Sequence, residues 1–291
     1  MAAKGENTRY LPGIRLPVIP HITADLAEVM QASVILLVVP AQQIRSLAPL
    51  LALHLRPDHA LVLCAKGIEV GSGRFMSELA REFFPQTRLA VLSGPTFARE
   101  VVQGLPTAVT LASTELEFAT RLSGLLSGRT FRCYASHDVI GVELGGAVKN
   151  VLAIACGIAM GRGLGENARA ALITRGLAEL RRMGRDLGAK PETLTGLSGL
   201  GDITLSCNSM QSRNYALGHR LGSGESLSAI EVSGHKLAEG RHTASALIQR
   251  ADEVGADMPI CMAVDAILNH GADIDQAIAG IMARPLRGEE D

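Results

Sequence analysis

A long apolar stretch covers residues 139–165, VIGVELGGAVKNVLAIACGIAMGRGLG, with one lysine at its centre. Apolar residues fall on every side of its helical projection, which predicts a buried central helix. A membrane span is disfavoured because Glu143, Lys149 and Asn150 would each be costly in hydrocarbon and none lies at an end. We therefore expect no membrane insertion.

Lys149 has no acidic residue near it on this helix, at three, four or seven positions' distance. Because helical side chains lean toward the N-terminus, its stem should lie over Gly145 and Gly146, where missing side chains leave room for a ligand. A lysine deprived of water and counter-charge has a lowered pKa and can transfer protons near neutral pH. At this point the alternative stays open that Lys149 only extends its ammonium to solvent.

Composition narrows the class of protein. A chain of 291 residues is long enough for two domains. Its 28 basic and 29 acidic residues nearly cancel, so no nucleic-acid partner is implied. The five cysteines are widely spaced without a CxxC pair, and no histidine pattern is typical of a metal site. With no signal peptide in MAAKGENTRY, we expect a cytoplasmic protein without a bound metal.

The first part of the chain alternates strand-like and helical patterns after an irregular, proline-containing start. Buried strands are predicted at residues 33–40, 60–65 and 88–92, further strands at 107–112 and 130–135, and helices at 25–31, 41–55, 74–84 and 115–126. This rhythm indicates a parallel α/β sheet. From residue 138 onward only helix and loop are predicted. The expected domains are therefore 1–136, α/β, and 137–291, all helical.

Polar residues and glycines follow three of the predicted strands, at the ends where open α/β sheets bind ligands. Lys66 follows the second strand and would meet a phosphate or carbonyl oxygen there, unless it is an ordinary loop lysine. After the third strand, Gly94 and Thr96 either close a turn or offer groups to a ligand.

The helical part contains a second candidate cluster. Ser212, Arg213 and Asn214 open a short helix, and a helix N-terminus with an arginine binds phosphate well. Asp202 ends a predicted glycine-rich loop, residues 195–202, and is the nearest candidate acid for Lys149. Glu239 can be a site residue or an ordinary loop acid.

Together these blocks resemble the bacterial NAD(P)-dependent glycerol-3-phosphate dehydrogenases across essentially the whole chain. The matching blocks are NTRYLPG, AKGIE, SGPTFA, GVELGGAVKN, NARAALITRG, GLGD, SRN and AEG, in family order. The resemblance implies a Rossmann-type domain followed by an all-helical domain of the 6-phosphogluconate dehydrogenase type. It also implies NAD or NADP as cofactor, and the interconversion of dihydroxyacetone phosphate and sn-glycerol 3-phosphate for phospholipid synthesis. A homodimer is possible.

The resemblance also implies residue roles. Lys149 matches the catalytic proton acceptor, and Lys66 matches a lysine that contacts both cofactor and substrate. The substrate-binding positions are Lys66, Gly94, Thr96, Lys149, Asp202, Ser212, Arg213 and Asn214. The cofactor-binding positions are Lys66, Ala98, Arg213, Leu237 and Glu239. Thr96 stands where the family usually has serine, so the hydroxyl is kept.

One departure from the family pattern concerns the start. Family members begin with a strand, a glycine-rich loop, a helix and a second strand before the NxRYLPG block, whereas this sequence begins at that block. Neither residues 161–165 nor residues 196–201 follow a strand and open a helix as a pyrophosphate loop does. We expect an incomplete Rossmann-type sheet, and the choice between NAD and NADP stays open.

Three functions are compatible with these observations. The first is the dehydrogenase, with Lys149 as proton donor and acceptor and Lys66 polarising the carbonyl. The second is a non-catalytic remnant of the family that binds no dinucleotide. The third is a related dehydrogenase acting on a 3-hydroxy acid, against which the phosphate-binding character of Ser212 and Arg213 argues.

Overall fold

Five strands of aliphatic residues form one sheet in the first half of the chain. The structure, a computed structural model, describes residues 5–232, 238–285 and 288. The strands are β1 (Val34–Leu37), β2 (Ala60–Leu63), β3 (Arg88–Ser93), β4 (Thr107–Ala112) and β5 (Phe131–Ser136). Short helices accompany them: α1 (Leu26–Val29), α2 (Ile44–Ala52, after a 3₁₀ turn at Ala41–Gln43), α3 (Met76–Phe83), α4 (Ala98–Val102) and α5 (Leu116–Leu126). All five predicted strands are confirmed.

The strand order is β1-β2-β3-β4-β5, with every neighbouring pair parallel except β3 and β4. The prediction of a parallel sheet is therefore wrong for this one pair. The physical reason is the connection between the two strands. Its only helix, α4, has five residues and spans about 8 Å, whereas a six-residue strand is about 20 Å long. Because the connection has no helix long enough to cross back over the sheet, it favours a β4 that runs back from the carboxyl end of β3.

The sheet is covered on both faces. In β2, Leu61 and Leu63 face one apolar core with α2 and α3, whereas Ala60 and Val62 face another with Phe118 of α5. All four residues of β2 are buried, which explains the uninterrupted apolar pattern. On the outer side of β1, no other described strand pairs with it.

The second half of the described chain is helical. Its helices are α6 (Val139–Gly161), α7 (Gly165–Asp186), α8 (Pro191–Leu194), α9 (Asp202–Cys207), α10 (Arg213–Gly222), α11 (Leu227–Val232), α12 (Gly240–Val254), α13 (Pro259–Asn269) and α14 (Ile274–Met282). The side chains of Ser212 and Asp273 cap the N-termini of α10 and α14. The sheet ends at Ser136 and α6 begins at Val139, although the boundary between two independent domains at 136/137 stays a prediction.

Helix α6 is the core of the helical part, as the sequence predicts. Among the described helices it alone has the length and composition to cross a membrane, but 83% of its apolar window is buried inside the protein. Its glycines allow close packing with α10. A Cβ on Gly161 would lie 2.9 Å from Ser223 N, and a Cβ on Gly222 would lie 3.0 Å from Ile158 Cα. The backbones of the two helices are therefore nearly in contact.

Candidate active site

Lys66 joins the sheet to the helical part of the protein. It follows β2, and its Nζ donates to the Gly94 carbonyl oxygen at 2.7 Å and to Asp202 Oδ2 at 2.5 Å. Only 18% of the Lys66 side chain is exposed. Lys66 is therefore no ordinary surface lysine, because a loop lysine on the surface would keep its ammonium in water.

Lys149 reaches the same carboxylate from α6. Its Nζ lies 3.5 Å from Asp202 Oδ1 and donates to Ser206 Oγ at 3.2 Å. Ser206 Oγ in turn donates to Asp202 Oδ1 at 3.2 Å. The prediction that Asp202 is the acid nearest to Lys149 is confirmed, and one buried carboxylate is shared by two ammonium groups.

The surroundings change the proton affinity of Lys149. Burial lowers the pKa of Lys149 below its usual value, and the charge of Lys66 lowers it further, whereas the charge of Asp202 opposes the shift. The net direction is downward, which brings the ammonium closer to the range in which it can give up a proton. A general acid and base is the chemical role that this arrangement favours.

The two glycines before Lys149 do not leave the free space that the sequence suggested. A Cβ on Gly145 would lie 2.5 Å from the Ser198 carbonyl oxygen, and a Cβ on Gly146 would lie 2.9 Å from Ser93 Oγ and 3.4 Å from Lys66 Cγ. That expectation is wrong, because the chain itself fills both positions. The glycines instead let the sheet and the segment carrying Asp202 approach α6 closely.

The predicted glycine-rich loop at residues 195–202 is also wrong in its conformation. Residues Leu197–Gly201 form a π-helical turn that runs directly into α9, whose first residue is Asp202. This turn packs against Gly145, and a Cβ on Gly199 would overlap the backbone of Leu194. Helical geometry therefore fixes Asp202 and places Ser206 one turn later on the same face.

Gly94 and Thr96 shape the carboxyl end of β3. Gly94 has φ +148°, and a Cβ there would lie 2.9 Å from Val109 Cα, so only glycine fits. Its carbonyl accepts from both Thr96 Oγ1 at 3.1 Å and Lys66 Nζ. The adjacent Ser93 hydroxyl is buried and has no hydrogen-bond partner among the described residues.

The predicted phosphate-binding cluster lies at the start of α10. Ser212 Oγ accepts from Tyr215 N at 3.3 Å and so caps this helix. The Arg213 side chain is exposed and forms no hydrogen bond or ion pair with any described residue. Asn214 donates to Asn150 Oδ1 at 2.8 Å, which connects this cluster to the residue following Lys149. Direct substrate contacts of Ser212, Arg213 and Asn214 stay a prediction.

The remaining predicted cofactor positions are dispersed. Ala98 is the exposed first residue of α4, and Glu239 Oε1 accepts from Ala41 N at 3.2 Å, across from the carboxyl end of β1. Leu237 lies outside the described residues. The roles assigned to these three residues stay predictions.

Sequence reasoning missed two polar residues of this cluster. Asn150 directly follows Lys149 and donates to the Lys66 carbonyl oxygen at 3.0 Å. Its polarity within an apolar helix was the available signal. Ser206 lies four residues after Asp202, and it would have been found if residues 202–207 had been predicted as a helix.

The described residues fit one end of a nicotinamide dinucleotide better than the other. A nicotinamide ring at the carboxyl ends of β2 and β3 would lie near Lys66 and the Ser93 hydroxyl. That hydroxyl has no hydrogen-bond partner among the described residues, and a bound group could supply one. The pyrophosphate does not fit the helices after β1 and β2. Carboxylate oxygens of Glu239 and Glu143 already accept from Ala41 N and Ser77 N there. Among described residues, no cluster of three metal-ligating side chains occurs.

Two family models match the chain. The model described as NAD-dependent glycerol-3-phosphate dehydrogenase N-terminus matches residues 1–119, and the corresponding C-terminus model matches residues 138–279. Together they cover four of the five strands and most of the helical part, including Lys66, Lys149, Asp202 and Arg213.

Similar proteins agree with these models. A glycerol-3-phosphate dehydrogenase [NAD(P)+] of Rhodospirillum rubrum is 54% identical over 289 residues, covering 99% of this chain and 82% of the relative. The enzyme of the same name from Methylobacterium radiotolerans is also 54% identical, over 100% of this chain and 87% of its own length. A crystal structure of glycerol-3-phosphate dehydrogenase from Coxiella burnetii has a TM-score of 0.92 and 38% identity, covering 97% of this chain and 87% of that one.

Proposed function

Because the chain belongs to the family of NAD-dependent glycerol-3-phosphate dehydrogenases, we propose that it interconverts dihydroxyacetone phosphate and sn-glycerol 3-phosphate with NAD or NADP. The observation that carries this proposal is the pair of partly buried lysines, Lys66 and Lys149, sharing the buried Asp202 carboxylate at the carboxyl end of the sheet. A reaction that moves a proton on and off a carbonyl oxygen needs such a group.

Each residue of the site has a different role in the proposed reaction. A bound reduced nicotinamide supplies the hydride. Lys149 holds a proton at Nζ for the developing alkoxide oxygen and takes it back in the reverse direction. Lys66 directs a second ammonium toward the same region and stabilises negative charge on that oxygen. Asp202 holds both lysines in place, and the low exposure of both side chains keeps water away.

Activity of residues 1–291 is tested by the oxidation of NADH and NADPH with dihydroxyacetone phosphate as substrate. A phosphate-free 3-oxo acid serves as the comparison substrate. Turnover of the phosphorylated ketone alone supports the proposal. Turnover of the 3-oxo acid alone would favour a hydroxy-acid dehydrogenase. If neither NADH nor NADPH shows saturable binding, a non-catalytic remnant would be favoured.

Replacing Arg213 with alanine should raise the KM for dihydroxyacetone phosphate about tenfold or more while changing kcat less. The exposed guanidinium at the start of α10 is free to hold the substrate phosphate, which is bound equally in the ground and transition states. Steady-state kinetics of the variant measure this. Arg121→Ala, on the exposed face of α5, is the control, and an equal KM increase with glyceraldehyde, which lacks phosphate, would contradict the role.

A second proposal concerns dinucleotide binding: residues 1–291 do not include the strand, glycine-rich loop, helix and strand unit of the family. Three observations support this. No described strand lies on the outer side of β1, and this chain covers 82–87% of the length of the two relatives. In addition, backbone N–H groups at the starts of the helices after β1 and β2 already donate to the carboxylates of Glu239 and Glu143. Leu36 and Val38 near that edge are 44% and 72% exposed.

We expect residues 1–291 to bind NADH at least about tenfold more weakly than a chimaera carrying the N-terminal unit of the Rhodospirillum rubrum relative. The unpaired edge of β1 should also make the chain aggregate more readily. Isothermal titration and light scattering on both proteins measure these effects. Micromolar NADH affinity of a soluble, cooperatively unfolding 1–291 chain would refute the proposal.

The cytoplasmic location and the possible homodimer stay predictions. The described surface offers one feature relevant to a dimer, an apolar groove of about 250 Å³ between α7 and α14. It is lined by aliphatic side chains, including Leu172, Ile267, Ile278 and Ile281. Exposed apolar grooves of this kind are common at contacts between subunits.

A further inference from the structure

Two buried asparagines form a directed chain of hydrogen bonds through the helical part. Gly240 N donates to Asn214 Oδ1 at 3.0 Å, and Asn214 Nδ2 donates to Asn150 Oδ1 at 2.8 Å. Asn150 Nδ2 then donates to the Lys66 carbonyl oxygen at 3.0 Å. The direction is fixed at both ends, since a backbone N–H can only donate and a carbonyl can only accept.

The chemistry of the two middle positions suits asparagine in particular. Each side chain must accept at its oxygen and donate at its nitrogen, which an amide does and a carboxylate or an aliphatic group does not. Asn150 is 3% exposed and Asn214 is 8% exposed, so a lost bond could not be replaced freely by bulk water. This series of hydrogen bonds therefore destabilises the folded state unless every bond in it is made.

Close packing leaves this chain little freedom to rearrange. A Cβ on Gly240 would lie 2.5 Å from Asn214 Oδ1, 2.6 Å from Ile154 Cδ1 and 3.0 Å from the Asn150 carbonyl oxygen. The start of α12 is consequently pressed against α6 and α10. A shift of Gly240 must move Asn214, and a shift of Asn214 must move Asn150.

The two ends of the chain are positions that matter for the proposed reaction. Lys66 carries the ammonium that pairs with Asp202, and its backbone carbonyl is the last acceptor. At the other end, Glu239 precedes Gly240 and accepts from Ala41 N beside the end of β1. The first turn of α12 thus contacts the loop after β1 directly and the loop after β2 through the two asparagines.

We propose that Asn150 and Asn214 are positioning residues that fix the backbone of Lys66 relative to the first turn of α12. Their function is to hold the Lys66 ammonium at the distance from Asp202 and Gly94 that the reaction needs. This inference rests on the proposed function, and it assigns Asn214 a role through Lys66 in addition to the direct substrate contact that the family resemblance implies.

The first test measures amide hydrogen exchange on residues 1–291 and does not depend on activity. In Asn150→Ala, exchange at Gly240 should speed up about tenfold or more, although the Asn150 side chain forms no hydrogen bond with Gly240. Asn214→Ala should speed up exchange in the segments around residues 66 and 240 together. Asn208→Ala is the control, because that exposed amide donates only to the Thr204 carbonyl oxygen at the end of α9.

The second test is kinetic and uses the same variants at saturating NADH. Asn150→Ala and Asn214→Ala should each lower kcat about tenfold, and the double variant should be no more than about twofold worse than either, because both cut one chain. Asn214→Asp, which keeps the acceptor and loses the donor, should behave like Asn214→Ala. The control Asn208→Ala should keep the wild-type kcat.

Three results would overturn this assignment. One is an unchanged amide exchange rate at Gly240 in an Asn150→Ala variant that keeps the wild-type Tm, since loss of the Asn150 side chain would then not affect the start of α12. Another is independent losses that multiply to about a hundredfold in the double variant. The third is an Asn214→Ala variant that raises only the KM for dihydroxyacetone phosphate, as a direct ligand would. An inactive wild-type chain would contradict the proposed function, and the exchange result would still decide the positioning role.

Discussion

Replacing Lys149 with alanine is expected to lower kcat at least about a hundredfold with the fold intact, the usual contribution of a general acid and base. The side chain is 14% exposed and its ammonium lies 3.5 Å from Asp202 Oδ1, so bulk water does not supply an equivalent proton donor at this position. The measurement is steady-state turnover at saturating NADH, in the chimaera if the affinity of residues 1–291 is too low. Circular dichroism checks the fold.

The control for this variant is Lys190→Ala, which removes an exposed lysine outside the site and should keep wild-type turnover. Small amines such as ethylamine should restore part of the activity of Lys149→Ala, because they supply the missing ammonium. If Lys149→Ala retained turnover within about threefold of the wild type, Lys149 would only balance the charge of Asp202.

The direction of the pH dependence follows from the same residue. Burial lowers the pKa of Lys149, and ketone reduction requires its protonated form. Reduction should therefore fall as pH rises through a pKa below the ordinary lysine value of about 10.4, and alcohol oxidation should rise over the same interval. This alkaline limb should be absent from the residual activity of Lys149→Ala.

Asp202→Asn is expected to have the second large effect, on both turnover and stability. The carboxylate is buried and pairs with Lys66 at 2.5 Å and with Lys149 at 3.5 Å, so its loss leaves two ammonium groups facing each other without a counter-charge. Removing one partner of a buried ion pair costs about 3–5 kcal/mol, and the partial exposure of both lysines favours the lower value. Turnover should fall about a hundredfold, because neither ammonium keeps its position.

Stability at two pH values distinguishes this explanation from a simple packing defect. In Asp202→Asn the carboxylate charge that opposes the lowered pKa of Lys149 is gone, so the variant loses stability at pH values where Lys149 is protonated in the unfolded state. The loss should narrow as pH rises from 7 toward 10, in urea unfolding measured at both ends. Asp252→Asn, an exposed acid on α12, is the control, and a loss independent of pH would contradict the electrostatic account.

The secondary-structure elements and the residue types of the site follow from the amino-acid sequence. The uninterrupted apolar run around Lys149 could only be a core helix, because a buried helix tolerates apolar residues on all sides. Alternating strand and helix patterns predicted the five strands correctly, since hydrophobic period follows local backbone geometry. The motif blocks identified the family across the whole chain.

The contacts between these residues depend on how distant segments pack in three dimensions. Lys66 and Asp202 are 136 positions apart, and no local pattern reports which carboxylate neutralises which lysine. Gly145 and Gly146 looked like open space, but the close approach of Ser198 and Ser93 fills it. The antiparallel β4, the helical Asp202 and the Asn150–Asn214 chain all depend on contacts between distant segments. The sequence sets the secondary structure and the chemical groups that each element carries. The packing of α6 against the sheet sets the distances between those groups.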